Sequence, residues 1–274
     1  YTIICNEKTT LEFNNGAIFV INGKIIFNGS KEYPILVTSK DASGSFLVMQ
    51  ANDTSRLDYV DFVNLSESHS SNWHISGSVN FYESDVVLNN IRFMRNNSED
   101  ALNIIRSNFK LLNCTFKDVK SDAFDSDFCV GEVRNCDFQF IGDDAIDFSG
   151  STINMTDVII NNAGDKGISA GEMSFVDGAD IKITNSELGV VSKDKSYLRI
   201  NNIEINNVSI AYAVLKKKEV FGPAEIELLS YKAENYTKEF LVEEQSIAVV
   251  NNVLKKSNHH DVHSILYDKV YVKP

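Results

Sequence analysis

The chain has 274 residues, 43% of them hydrophobic and only three of them proline, a balance that excludes disordered and collagen-like classes and supports a large folded core. Its formal charge of −12 would repel a nucleic-acid backbone on average, and no apolar run approaches the ~18 to 20 residues of a membrane-spanning helix. The four cysteines, Cys5, Cys114, Cys129 and Cys136, are too few for a disulfide-built fold of this size and lack a CxxC zinc spacing.

The opening YTIICNEKTT lacks the basic and apolar regions of a signal peptide and reads as the start of an excised piece of a longer chain. The stretch LEFNNGAIFVINGKIIFNGSKEYPILVTS is a series of short β-rich runs broken by NG, NG and YP, so residues 1–50 are expected to form N-terminal capping coils. LDYVDF at 57 opens the central coils, 51–230, with a wider spacing that leaves room for a long loop from Ser66 to Trp73. His69 and Trp73 in that loop offer an aromatic surface to a sugar ring, or a loop anchor.

From Glu99 onward the chain repeats itself: EDALN at 99, SDAFD at 121, DDAID at 143, DKGIS at 165, ELGVV at 187 and SIAYA at 209 follow one another at steps of 22 residues. A second set of phrases, NNIRF at 89, LNCTF at 112, RNCDF at 134, TDVII at 156 and NNIEI at 201, runs between them with small slips. A period of 22 with strand-like composition predicts an all-β fold, a single-stranded right-handed parallel β-helix in which each repeat is one coil. Leu102, Phe124, Ile146, Ile168, Val190 and Tyr212 form the inward column, and the small residues before them, Ala101, Ala123, Ala145, Gly167, Gly189 and Ala211, mark a corner. Asn90, Asn113, Asn135, Asp157, Asp180 and Asn202 read as an amide ladder at another turn, with Cys114 and Cys136 stacked inward as buried thiols. After Pro223 the pattern loosens, so residues 231–274 are expected to hold the last coils and a cap or tail, all within one domain. HHDVH, with His259, His260 and His263, reads as a polar tail; the alternative is a metal-binding pair at helical spacing.

Period-two alternation places a charged strip outside the coil. Asp100, Asp122, Asp144 and Lys166 share one column, Asn103, Asp125, Asp147 and Ser169 the next, and Ile105, Asp127, Ser149, Gly171 and Lys193 a third. With coils ~4.8 Å apart, at least six acids would share a patch roughly 15 Å across, and such crowding raises carboxyl pKa values unless a cation offsets it. Lys193, Asp194, Lys216, Lys217 and Lys218 extend the strip toward a basic end, and Arg106 and Glu172 border it. Three uses of the aspartates stay open: paired catalytic acids, turn caps on a solvated face, or calcium ligands drawn from Asp122, Asp125, Asp144 and Asp147.

KSDAFD, IGDDAID, GDKGIS and LRIN resemble, in order, the four short motifs NTD, GDD, GHG and RIK of the polygalacturonase family of pectin-type glycosidases, right-handed β-helix enzymes that hydrolyse with inversion. The resemblance implies that Asp122 matches the first aspartate, Asp143 and Asp144 the pair, Lys166 the histidine and Arg199 the arginine, with Ser121 and Asn201 departing from the pattern. FDSDFCVGEVRN, GDDAIDFSGS, GDKGISAGE, VVSKDKS and LKKKEVFGPAEI also resemble β-helix modules of bacterial proteins that accompany a CotH-like, spore-coat-kinase-like domain, which implies a bacterial extracellular or cell-surface setting and further domains.

The expected function is to engage a polysaccharide along this strip as a hydrolase, lyase or epimerase, with Asp122, Asp143, Asp144 and Lys166 as the catalytic set. Asp125, Asp127, Asp147, Glu172, Lys193, Asp194, Arg199 and Lys217 are the expected substrate contacts. For hydrolysis, Asp144 is the expected general acid, Asp122 and Asp143 activate water, and Lys166 and Arg199 hold the sugar; for elimination or epimerisation, Lys166 or Lys193 is the base. The competing reading is a non-catalytic scaffold or binding module for a glycan or protein, its aspartates binding calcium or nothing.

Overall fold

The computed structural model describes residues 1–70 and 73–268, and the side chains of all of these except 68–70, 73 and 74. The chain is an all-β, right-handed parallel β-helix of about 11 turns. Each coil contributes short strands to three parallel stacks. One central coil runs through Asn108–Leu112 on the first face, Thr115–Val119 on the second and Asp122–Asp127 on the third.

The register follows the 22-residue step. Leu102 pairs with Phe124, Phe124 with Ile146, Ile146 with Ile168, Ile168 with Val190 and Val190 with Tyr212, and all six side chains are fully buried. The small column before them also lies inside, where room is scarce: a Cβ on Gly189 would sit 2.3 Å from the Ala211 carbonyl oxygen. LDYVDF joins the phrases as expected, Leu57, Val60 and Phe62 pairing with Leu88, Ile91 and Phe93.

The amide column turns the chain from the first face to the second. Asn90, Asn113, Asn135, Asp157, Asp180 and Asn202 all adopt left-handed backbone, φ between 53° and 60°, a conformation that Asn and Asp tolerate better than other non-glycine residues. Their amides bond between coils, Asn135 Nδ2 donating to Asn113 Oδ1 at 2.7 Å and Asn202 Nδ2 to Asp180 Oδ1 at 2.6 Å. Cys114 and Cys136 are free and buried beside this turn. The closing phenylalanines of the phrases form a second internal ladder, Phe62, Phe93, Phe116 and Phe138, with stacked ring centroids 5.3, 4.6 and 4.7 Å apart.

Two local expectations change. The segment expected as a wide loop contains an antiparallel pair, Ser68–Ser70 with Trp73–Ile75, while the side chains of His69 and Trp73 lie outside the described residues. The expected polar tail contains a short helix, α1 (Val262–Tyr267), whose N-terminus is capped by Asp261 Oδ1 accepting from the Ser264 amide at 2.9 Å. Its Val262 packs on Leu188, Val191, Ile210, Ala213, Leu215 and Leu241, so the segment returns to the third face because that face is apolar there. The three histidines face separate neighbours: His259 Nε2 meets Lys238 Nζ at 2.9 Å, His260 Nδ1 meets Glu244 Oε2 at 2.9 Å, and the His263 ring lies 5.1 Å from that of Tyr267.

Candidate active site on the third face

The third face is built from Gly77–Tyr82, Asp100–Ile105, Asp122–Asp127, Ile146–Ser149 and Lys166–Gly171, followed by the final stretches of the long strands Phe175–Lys193 and Tyr197–Leu215. Asp100 pairs with Asp122, Asn103 with Asp125, Asp125 with Asp147 and Asp147 with Ser169, so acids distant in sequence lie one above another. Alternation turns their side chains outward while Phe124, Ile146 and Ile168 fill the core.

Asp122, Asp143 and Asp144 converge: one carboxylate oxygen from each lies within 4.8 Å of the others. The coil geometry holds them there. The Asp144 amide donates to Asp122 Oδ1 at 2.9 Å, and one coil further the Lys166 amide repeats the bond to Asp144 Oδ1 at 2.9 Å. Lys166 Nζ then reaches both Asp144 oxygens, at 3.1 and 3.2 Å, and also bonds Asp165. Lys166 and Asp144 are both buried, 7% and 6% exposed at the side chain, so their pairing operates in a region of weak solvent screening.

Burial and then the charge of Asp144 push the Asp122 carboxyl up to about 9, so it holds a proton at neutral pH. Burial also raises Asp144, to about 7, with Lys166 opposing the shift. Asp143, the most exposed of the three, is raised by partial burial and by Asp165. Desolvation alone would pull the Lys166 ammonium down, but Asp144 and Asp165 more than offset it and raise it. Asp125 is raised well above the usual carboxylate range by burial and by Asp100, and Asp127 is raised by burial and Glu172.

The remaining expected residues divide. Asp125, Asp127 and Asp147 stand beside the trio on the same face, and Lys193 Nζ donates to Asp147 Oδ2 at 3.3 Å. Glu172 lies at the corner, paired with Lys218. Lys217 is exposed, with its ammonium 4.5 Å from the Tyr267 ring centroid. Asp194 is fully buried and accepts from the Lys217 and Lys218 amides at 2.8 and 2.5 Å, which makes it a turn residue out of a ligand's reach. Arg199 is on the first face, where it pairs in register with Asp177 and Glu227 and lies 3.3 Å from the Glu227 carboxylate. The strand that carries it stacks on that face, so the motif order that aligned Arg199 with a sugar-binding arginine does not carry it to the strip.

Of the four acids considered as calcium ligands, Asp122 and Asp144 belong to the convergent trio while Asp125 and Asp147 do not, and Lys166 already supplies Asp144 with positive charge. A hard cation there would take Asp122 and Asp143 with Asp144.

Some participants were not singled out from the sequence. Asp165 follows Asp143 at the same 22-residue step and bonds Lys166, so the periodicity held the signal. Asp100, raised to about 6 mainly by burial, was visible in the outer column. Tyr267, whose ring centroid is 5.7 Å from Lys166 Nζ, lies outside the repeat and had none.

No family model matches the chain, and no curated protein matches it. Among solved structures, the catalytic domain of a GH87 α-1,3-glucanase, an aspartate-to-alanine variant in complex with tetrasaccharides, superposes with a TM-score of 0.52 at 12% identity over 89% of this chain and 63% of that one. The shared element is the fold. The chain thus spans a little under two thirds of that neighbour's length. The enzymatically active domain of tailspike protein 2 from bacteriophage CBA120 gives a TM-score of 0.49 at 9% identity, over 85% of this chain and 43% of that one. Pectate lyase Pel9A gives 0.44 at 13% identity, over 87% and 69%.

Proposed function

We propose that the chain is a hydrolase of a neutral polysaccharide, acting on the third face with the Asp122, Asp143 and Asp144 trio at its centre. The observation that carries this reading is the convergence of three carboxyls in different electrostatic states within 4.8 Å. Groups that close, with environments that separate their proton affinities, are what acid–base hydrolysis needs. Asp122, partly buried and protonated, donates its proton to the glycosidic oxygen as the bond to the anomeric carbon breaks. Asp143, exposed and the more readily ionised, takes a proton from the water whose oxygen bonds to that carbon. Asp144 stays ionised against Lys166 and stabilises the positive charge that develops on the sugar. This moves the proton donor from Asp144, the expectation from the sequence, to Asp122, because an ammonium on both oxygens of Asp144 disfavours its protonated form.

The substrate class follows from charge. Lys166 and Lys193 are already paired with Asp144 and Asp147 and Arg199 is on another face, so these cations are not free to hold a polyuronate, whereas carboxyls that keep their protons can donate hydrogen bonds to the hydroxyls of a neutral glycan. The α-1,3-glucanase among the structural neighbours, in complex with tetrasaccharides, supports the same substrate type. The setting in this reading is outside a bacterial cell, in a longer chain, as the likeness to CotH-associated modules suggests; no helix among the described residues is long and apolar enough to cross a membrane.

The test is incubation with neutral and acidic polysaccharides, with and without calcium. New reducing ends from a neutral polymer, absent in Asp122→Asn, are expected. Unsaturated products from a uronate polymer would replace hydrolysis with elimination. Affinity for a glycan without any new ends would leave a binding module.

A further inference from the structure

The third face is closed at one end and part-open along one edge at the other. Past the acids its columns turn apolar: Lys166 leads to Leu188 and Ile210, Ser169 to Val191 and Ala213, and Lys193 to Leu215. Helix α1 lies on this apolar part, Val262 fully buried and Ile265, Leu266 and Tyr267 packed beside it, and the Tyr267 ring stands over the ammonium groups of Lys166 and Lys217. A glycan laid across the coils cannot continue beyond Ser169.

In the opposite direction the cover is partial: Asn80 and Asn103 are buried, Asn103 Nδ2 donating to Ser76 Oγ at 3.1 Å, while Met49, Tyr82, Ile105 and Asp127 stay part-exposed along one edge. Asp125 leads back through Asn103 and Asn80 to Leu47, and Asp127 through Ile105 and Tyr82 to Met49. There an open groove of about 330 Å³ is lined by Leu47, Met49, Ile75, Asn80, Tyr82 and Ile105. Its lining carries no charged side chain. Three coil steps of ~4.8 Å separate Leu47 from the Asp125 level, enough for a short oligosaccharide lying along the stack.

We infer, resting on the hydrolase reading above, that cleavage is directed to chain ends: the terminal sugar lodges against the wall of Lys193, Lys217 and Tyr267, and the rest of the glycan leads away over Asp127 and Ile105 to the apolar groove at Tyr82. The closed end holds groups suited to a terminal ring. Asp147 Oδ1, Ser169 Oγ and the Tyr267 hydroxyl are buried without a hydrogen-bond partner among the described residues, a costly state that sugar hydroxyls relieve as the Tyr267 and Lys193 side chains turn to admit them. At the far end, neutral rings bury their apolar faces on Tyr82, Met49 and Leu47, as flat amphipathic groups do on aromatic and aliphatic side chains.

The experiment follows the size of products released by the whole chain from soluble neutral glucans and galactans, alongside solution viscosity. Wild type is expected to release mono- or disaccharides from the first minutes while viscosity falls little. Val262→Asp, which puts a charge against Leu188 and Leu241 and lifts α1, is expected to release longer fragments and to raise the viscosity loss per new end severalfold; Tyr267→Ala, which leaves Val262 in place, is expected to do so to a smaller degree. Folding of each variant is checked by its far-ultraviolet spectrum and melting transition. Fragments of random length from wild type would overturn chain-end action and leave the hydrolase reading standing. Small products from both well-folded variants would overturn the role of α1 as the wall. No new ends from any polymer would overturn this inference together with the reading beneath it.

Discussion

Residues stacked in one column change character partway along the third face: Asp100, Asp122 and Asp144 lead through Lys166 to Leu188 and Ile210, and Asn103, Asp125 and Asp147 lead through Ser169 to Val191 and Ala213. The backbone is continuous across the change, with the same parallel pairing on both sides. The N-terminal part crowds carboxyls that hold protons because ionising them together is costly, and the C-terminal part offers an apolar surface that recruits α1. The coil therefore supplies positions, and side-chain chemistry alone decides whether a stretch of them becomes a site or a docking surface. Lys166, Lys193 and Lys217 stand at the boundary, the first two neutralising acids on one side while Tyr267 covers Lys166 and Lys217 from the other.

The largest way to break the contrast is to disarm the acid side. Asp122→Asn is expected to lower hydrolysis by about 10²- to 10⁴-fold in steady-state assays, with a melting temperature at pH 8 equal to or above that of wild type. A melting temperature that falls sharply would make Asp122 a structural residue.

The boundary comes next. Lys166→Met strips the buried Asp144 of its counter-charge and is expected to destabilise the fold by about 3 to 5 kcal/mol in urea unfolding, whereas the double change Lys166→Met, Asp144→Leu should recover most of the loss. On the apolar side, Val262→Ala removes two buried methyl-sized groups and should cost about 1.5 kcal/mol, read as faster amide exchange confined to 262–267.

How much of this contrast the sequence disclosed depends on distance along the chain. The 22-residue step placed Asp122, Asp144 and Lys166 in one column because a coil is a local unit, and the same step contained Asp165. The alternation that put aspartates outside also put Val191 and Leu215 outside, so the apolar patch was visible once those columns were followed to their ends. The returning helix was not: six residues around a single buried valine, among histidines, carry too short a pattern to separate from a polar tail. Arg199 shows the reverse hazard, since motif order tracks sequence while a coil presents successive segments on three different sides.

The smallest and most diffuse prediction concerns pH. A carboxyl whose folded pKa is raised favours the folded state while protonated, so the contribution of Asp122 is retained below the ordinary aspartate range and lost as pH climbs from about 4 toward about 9. The melting temperature should fall by a few degrees across that span, with a shallower slope in Asp122→Asn. Hydrolysis should also decline as pH approaches 9, where Asp122 surrenders its proton.

The uniform step of the solenoid bears on how such a cleft could be altered. Because each turn touches chiefly the turns above and below it, a whole rung can be added or removed between the acids and the apolar groove without disturbing the packing elsewhere. Cleft length is then quantised in units of ~4.8 Å, and lineages or designers could lengthen the recognised oligomer by duplicating rungs while the catalytic ones stay as they are.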